Sequence, residues 1–274
     1  MDRRRADLQA HGFVAMGYSA LAVGELDLRD GLAPFRARMD REKLPYLAAN
    51  LVDASGAHPF PASKIVDGPQ GKLGVVAVTA FDGEVAGLHA EDPAAALKKE
   101  AAALRTQGAT TVLALVHAPR GRVDAILKDS GVDLALLGHD GGSGMETRSP
   151  PGFGSGQKGR ALLRVSLELG AGPVVDGNAA EDAQNEVKLL DNLFATLQQR
   201  MATAQNDQAR QFLTAQMKQN RDRREQAQKR ADTHVEGRKV SSHPIQLDER
   251  VPDEPALGKL VADEVTADGH SPTR

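Results

Sequence analysis

Cysteine is missing from all 274 residues, which excludes disulfides, thiolate metal sites and a cysteine nucleophile together. That absence does not fix the compartment, since many exported proteins lack cysteine too. Tryptophan is also missing, and aromatic residues make up only 3% of the chain, too few for a surface on which bases stack. Neither sign of charge dominates: the formal net charge is -3, so no global field points to nucleic acid or an anionic membrane. No apolar run approaches the length of a membrane span. The amino-terminal residues MDRRRADLQAHGF are charged and then polar, without the apolar core of a secretory signal. What the chain does have is 41% hydrophobic residues, enough for one good core and an appendage.

The most informative stretch spans residues 108–144. It holds two continuous apolar runs, 110–116 and 132–137, each with the composition and length of a strand buried on both faces. His117 ends the first run, and His139 follows Gly138 at the end of the second. Between them, residues 122–130 have the amphipathic look of a crossover helix closed by Gly131. A strand–helix–strand unit places both histidines at the carboxyl ends of neighbouring parallel strands, where open α/β sheets put their ligands. One histidine in such a place is most often a strand cap. Two at equivalent ends of adjacent strands make a ligand site an equally good reading.

In chain order, residues 4–11 read as a short helix and 19–23 as a buried strand ending at Gly24, Glu25, Leu26 and Asp27. That acidic turn suits a functional site or a plain helix start, since Asp and Glu favour helix N-termini. Residues 28–40 suit a helix, 44–52 a strand, 61–66 a short outer strand and 72–80 a strong buried one. Residues 92–107, opening on Asp92-Pro93, read as a helix. After the central unit, 143–158 is expected to be a long loop of Gly, Ser and Pro, and the alternating run 160–169 a strand with one wet face. The pattern indicates a layered α/β domain over residues 1–170.

The blocks GYSALAVGELDL, PYLAANLVDASG, GKLGVVAVTAF, TVLALVHAPRG, GVDLALLGHDG and GQKGRALLRVSLEL occur in the order and spacing of one family. The chain resembles the calcineurin-like metallophosphoesterases, in the bacterial 5′-nucleotidase and cyclic-phosphodiesterase branch. The resemblance covers about residues 4–169. It implies an α/β fold, here an incomplete four-layer αββα sandwich, and a two-metal hydrolase acting on a nucleotide or another phosphoester. It also suggests a periplasmic or other extracytoplasmic setting.

Departures from the family pattern set the expectation for activity. The first two family motifs, Asp-x-His and Gly-Asp, have no counterpart in this sequence, and an upstream extension carrying them is one reading of that. The family's Gly-Asn-His-Glu motif stands here as Gly24-Glu25-Leu26-Asp27, so Leu26 replaces the catalytic histidine. His117 matches the isolated metal-binding histidine. His139 matches the first histidine of Gly-His-x-His, and Gly141 occupies the second. The resemblance therefore implies a residual metal set of Glu25, His117 and His139 for one divalent ion (Zn, Mn or Fe), with Asp27, Asp140 and the 143–149 loop orienting the imidazoles. Glu25 could instead pair with a protonated histidine or with Arg120. Loss of the general acid and of the second ion leads to the expectation of an inactive hydrolase.

After Leu169 the composition changes. Residues 171–178 read as a linker. Residues 179–236 read as two antiparallel helices turning near Asn206, or as a dimeric coiled coil, with one apolar stripe through Val187, Leu190, Phe194, Leu197 and Met201. A weaker stripe runs through Phe212, Leu213 and Met217. Residues 218–239 hold eight Lys or Arg against four Asp or Glu, a pattern typical of a solvated helix face. Residues 237–274 read as a short strand at 244–247, a proline-rich turn, a helix at 255–265 and a disordered end. The competing function class is a non-enzymatic interaction or scaffold protein acting through the hairpin, with a second copy of the chain as one partner.

Overall fold

The computed structural model describes residues 3–68, 70–139, 142–156, 159–170, 172–233, 235–248 and 250–267. Asp140, expected beside the histidines, lies outside the described residues. The chain forms two compact units, Met1–Val174 with Ser242–Arg274, and Val175–Ser241.

The first unit opens with α1 (Arg3–Ala15), β1 (Leu21–Ala22), α2 (Leu32–Glu42), β2 (Tyr46–Leu47) and β3 (Leu51–Asp53). It continues with β4 (Ser63–Gly68), β5 (Gly71–Thr79), β6 (Glu84–Val85), β7 (Leu88–Ala90) and α3 (Pro93–Thr106). The central unit follows as β8 (Thr111–His117), α4 (Arg120–Leu127) and β9 (Leu134–Gly138), then β10 (Ser143–Arg148), β11 (Pro151–Ser155) and β12 (Ala161–Leu167). The chain goes on through β13 (Val174–Asp176), α5 (Ala179–Ala202), α6 (Asp207–Asp232), β14 (Arg238–Gln246) and α7 (Pro255–Ala267).

Six strands form the main sheet in the order β10-β11-β9-β8-β5-β4. The four inner strands are parallel, and β10 and β4 pair antiparallel at the two edges. In-register pairing aligns Thr79, His117 and Gly138 as one row at the carboxyl ends of β5, β8 and β9. Asp92 Oδ1 accepts the Ala94 amide at 2.9 Å, with Pro93 in the first turn, so α3 starts where cap chemistry requires. Its Leu97, Ala101 and Leu104 recur at i, i+4 and i+7 and pack with Val123, Ile126 and Leu127 of α4 on Val112, Ala114 and Val116.

The strand ending at His117 is not buried on both faces as expected. Val112, Ala114 and Val116 are buried, while Leu113, Leu115 and His117 on the other face are only half-buried. The reason is partial cover: Leu47, Val75 and Ala77 form a small cluster there with Ala20, Ala22, Leu113 and Leu115. Beyond it an apolar cavity of about 380 Å³ remains between Leu73, Leu113, Leu136 and the Val165 and Leu167 side chains of β12.

Other expectations need correction. Residues 44–52 are two strands, because the chain turns at residues 48–50: the Ala49 amide donates to the Ala77 carbonyl at 2.8 Å, and the Asn50 side chain takes over local pairing. Residues 143–158 are no loop but hold the β10–β11 hairpin, which extends the sheet beside β9. Glycines hid it: β11 carries Gly152 and Gly154, whose missing side chains leave room for Thr147 and Glu146 of β10. The crossover helix starts at Arg120 rather than residue 122, and the terminal strand is nine residues long, Arg238–Gln246.

In the second unit α5 and α6 make an antiparallel hairpin. Asn206 caps α6, its Oδ1 accepting the Ala209 amide at 2.8 Å. Ala183, Val187, Leu190 and Leu197 are buried on α5, and Leu213, Asn220 and Ala227 on α6. Phe212, expected in the apolar stripe, points outward instead.

Asn50 is wholly buried, its Oδ1 accepting the Thr79 amide at 2.9 Å and its Nδ2 donating to the carbonyls of Thr79 and Glu91 at 2.7 and 2.9 Å. Replacing it with alanine strands those backbone groups, at a cost of about 3 kcal/mol. Urea unfolding of Asn50→Ala measures this, and a loss below about 1 kcal/mol would contradict the role.

Candidate metal centre

The site is built on the Thr79–His117–Gly138 row. Thr79 Oγ1 donates to the Val23 carbonyl, tying the turn after β1 to the end of β5. That turn carries Gly24 and Glu25 across the row, so Glu25 reaches His117 from a segment 92 residues away in sequence. Glu25 Oε2 lies 2.6 Å from His117 Nε2, and Glu25 Oε1 lies 3.5 Å from His139 Nε2. The imidazoles meet edge to face with centroids 5.2 Å apart. Side-chain exposures of 21% for His117, 26% for Glu25 and 31% for His139 describe a cleft that solvent reaches.

Two glycines make room for the inner imidazole. A Cβ on Gly24 would lie 2.9 Å from His117 Cε1, and one on Gly138 would lie 3.3 Å from its Nδ1. His139 itself sits at φ 77, a left-handed conformation that costs energy for any residue except glycine. That backbone turn lifts its ring toward Glu25 rather than along the strand.

Burial pushes the Glu25 carboxyl up, but its own backbone amide, the His117 hydrogen bond and both imidazole charges outweigh this and hold it below the usual range. Glu25 is therefore an anion at neutral pH, facing two imidazoles. Asp27 behaves oppositely: burial raises its pKa against the pull of the Gly24 amide, His117 and Tyr46. Its Oδ2 accepts the Gly24 amide at 2.8 Å and its Oδ1 the Tyr46 hydroxyl at 3.4 Å. The orienting role expected of Asp27 is thus directed at the glycine turn, with these two hydrogen bonds in place of one to an imidazole. Burial, then the Asp27 charge, raises the Tyr46 pKa.

Arg120 does not take Glu25. Its Nε lies 3.2 Å from Glu146 Oε2, and its Nη2 donates to the Glu146 carbonyl at 2.8 Å. The 143–149 segment thus engages Arg120 through Glu146 of β10. Sequence reading missed Asn50, and it held Gly24 in the turn motif and Glu146 in the 143–149 loop without giving either a role of its own. A polar residue inside the apolar run LPYLAANLV was the available signal for Asn50. Nothing local marked Glu146.

The three ligand atoms of Glu25, His117 and His139 lie within 4.8 Å of one another, and this is the group of His, Asp and Glu among the described residues that can hold a metal ion. In a tetrahedral site with ligand bonds of about 2.0–2.1 Å, ligand atoms stand about 3.3 Å apart. Glu25 faces the two histidines through different oxygens, Oε2 at 2.6 Å from His117 and Oε1 at 3.5 Å from His139, and the three ligand atoms span up to 4.8 Å, so the side chains must adjust by roughly 1 Å to share one ion. The donor set fits a borderline divalent ion.

With the geometry in place, solved structures can be compared. Sulfate thiohydrolase SoxB of Thermus thermophilus superimposes with a TM-score of 0.54 at 23% identity, covering 60% of this chain and 32% of that one. A 5′-nucleotidase precursor from the same organism gives 0.52 at 16% identity, covering 61% and 39%. The calcineurin-like phosphoesterase YfkN of Bacillus subtilis gives 0.50 at 15% identity, covering 62% and 63%.

The fold is metallophosphoesterase-like.

At these identities the likeness concerns the fold, and the chain spans less than two thirds of the length of each of these proteins. No family model and no curated protein sequence matches the chain. The metallophosphoesterase-like fold places the Glu25 turn, His117 and His139 at the carboxyl edge of its main sheet, where ligands of open α/β sheets are bound.

The glycine cradle gives a direct test. Gly24→Ala should destabilise the first unit by about 1–3 kcal/mol, because the new methyl meets an imidazole already held by Glu25. Gly121→Ala, in α4 with nothing within 4 Å of its Cβ, should instead stabilise by up to about 1 kcal/mol. Chemical denaturation of both variants checks the pair, and the reverse order would refute the cradle.

Proposed function

We propose that the chain is a 5′-nucleotidase-like member of the phosphoester hydrolases that holds one divalent cation at Glu25, His117 and His139 and is, by itself, catalytically silent. The observation that supports this most is the convergence of one carboxylate and two imidazoles from three separate strand ends. His117 and His139 would each offer a neutral ring nitrogen, and Glu25 would supply the anionic oxygen that makes the set selective for a cation. Asp27 positions the turn that presents Glu25, through the Gly24 amide. Thr79 fixes the same turn from below.

A divalent ion bound here would act as a Lewis acid toward a phosphoryl oxygen. Three ligands leave coordination positions open, so a phosphate group of a nucleotide or another phosphoester is the ligand class the site suits. Two-ion hydrolysis needs a second ligand set and a bridging carboxylate, and the described residues present one group of three. Leu26, which is exposed, takes the sequence position that the resemblance gives to a general acid and has no proton to give. These points support binding without turnover.

Metal analysis after dialysis, with Zn²⁺ and Mn²⁺ titrations, tests the reading. One ion per chain is expected for the unaltered protein, with affinity falling at least about tenfold in His139→Ala and in His117→Ala. Hydrolysis of AMP or bis-(p-nitrophenyl) phosphate should not exceed that of His117→Ala. Metal-dependent turnover well above that variant would overturn the silent-site reading, and equal weak uptake by all three proteins would overturn the metal site.

A further inference from the structure

The helical hairpin carries a feature that its own packing leaves unexplained. Asn220 of α6 is 4% exposed, yet neither its Nδ2 nor its Oδ1 has a hydrogen-bond partner among the described residues. It borders a cavity of about 140 Å³ lined also by Leu190, Leu193, Leu197, Gln216 and Gln219. This cavity opens on one side of the hairpin seam, where Arg223 also lines it, and the same side carries exposed apolar side chains among the polar ones. Leu189 and Leu193 of α5 are 69% and 46% exposed there, and Phe212 is 60% exposed on α6. Phe212 shares that side because it precedes Gln216 and Gln219 by four and seven residues. Large apolar side chains this exposed on one side of a helix pair mark an interaction surface.

The pattern along α5 indicates what covers it. Asp182, Glu186, Leu189, Leu193, Thr196 and Arg200 step by four and three, a second stripe of coiled-coil type beside the seam that already packs on α6. The stripe is self-complementary about its midpoint at residue 191. Run antiparallel against a copy of itself, it sets Leu189 against Leu193 of the copy and Asp182 against Arg200 of the copy. Glu186 is held by Arg223 and Arg230 of its own hairpin, so the charge complement is Asp182 at one end and Arg200 at the other, and with leucines between them this run fits an isologous twofold pairing.

We propose that this face of the hairpin pairs with a second copy of the chain, α5 antiparallel to α5, giving a four-helix bundle that closes over the Asn220 cavity. The leucines supply the buried area. The end charges set the antiparallel register, and Asn220 is the polar layer that disfavours slipped alignments. The pairing is independent of the metal centre, which lies in the other unit.

Light scattering and sedimentation on the full chain across the micromolar range test this. The unaltered protein should have twice the chain mass, and Leu189→Glu with Leu193→Glu should have the monomer mass with unchanged helical circular dichroism. Should that variant lose helicity, engineered thiols decide, since the chain has no cysteine of its own. Oxidation of a mixture of Leu189→Cys and Leu193→Cys chains should then give a covalent dimer, and Lys188→Cys, on the outer face, should not. A monomer throughout the concentration range overturns the pairing and leaves the face to a different protein. A dimer that survives the double Glu substitution, or thiols that fail to cross-link, overturns it equally.

Discussion

The parallel register of β5, β8 and β9 is the constraint on which the rest of the first unit depends. It levels Thr79, His117 and Gly138 in one row and so decides which atoms share the end of the sheet. A one-residue slip of β8 would send His117 into the α3–α4 core and bring Val116 to the site. Side-chain size on the two faces prevents the slip: Val112, Ala114 and Val116 are buried against helices, whereas Leu113, Leu115 and His117 meet thinner cover. Once the row is set, Thr79 captures the Val23 carbonyl and the Glu25 turn is delivered across it.

Electrostatics at the site follow from that placement. Two imidazoles and a carboxylate are brought within 4.8 Å, and the carboxylate stays ionised although burial opposes it. In such a cluster the Glu25–His117 hydrogen bond does locally what a cation would do for all three groups. The neighbouring carboxyl of Asp27 is driven the other way by deeper burial, so adjacent acids in one turn divide the work, one facing the cleft and one supporting the backbone. Gly24 is the point where both meet: its amide serves Asp27 and its missing side chain admits His117.

Much of this was legible in the sequence. Two continuous apolar runs ending in histidines pointed to the parallel pair and to the sheet end where the two imidazoles meet, because strand composition is a local rule. The resemblance added Glu25, and the structure brings it to both histidines. What escaped notice depended on partners distant in sequence. The β10–β11 hairpin lies in a glycine-rich run, and its strands are recognisable only from the room that Gly152 and Gly154 leave for Thr147 and Glu146. The Arg120–Glu146 ion pair and the inward amide of Asn50 are tertiary facts with no periodic signature. Along the helices, 3.6-residue periodicity identified the seam on α5 but misplaced Phe212, because of the adjacent pair Phe212 and Leu213 only Leu213 faces α5, in line with the polar Asn220 one heptad on.

The most direct test of the account is X-ray absorption at the zinc edge of the Zn²⁺-loaded protein. The proposed metal site predicts a first coordination shell of nitrogen and oxygen at about 2.0–2.1 Å with the outer-shell scattering of two imidazoles, reduced to one imidazole in His139→Ala. An all-oxygen shell, or a spectrum unchanged by that substitution, would show that zinc binds elsewhere than at Glu25, His117 and His139.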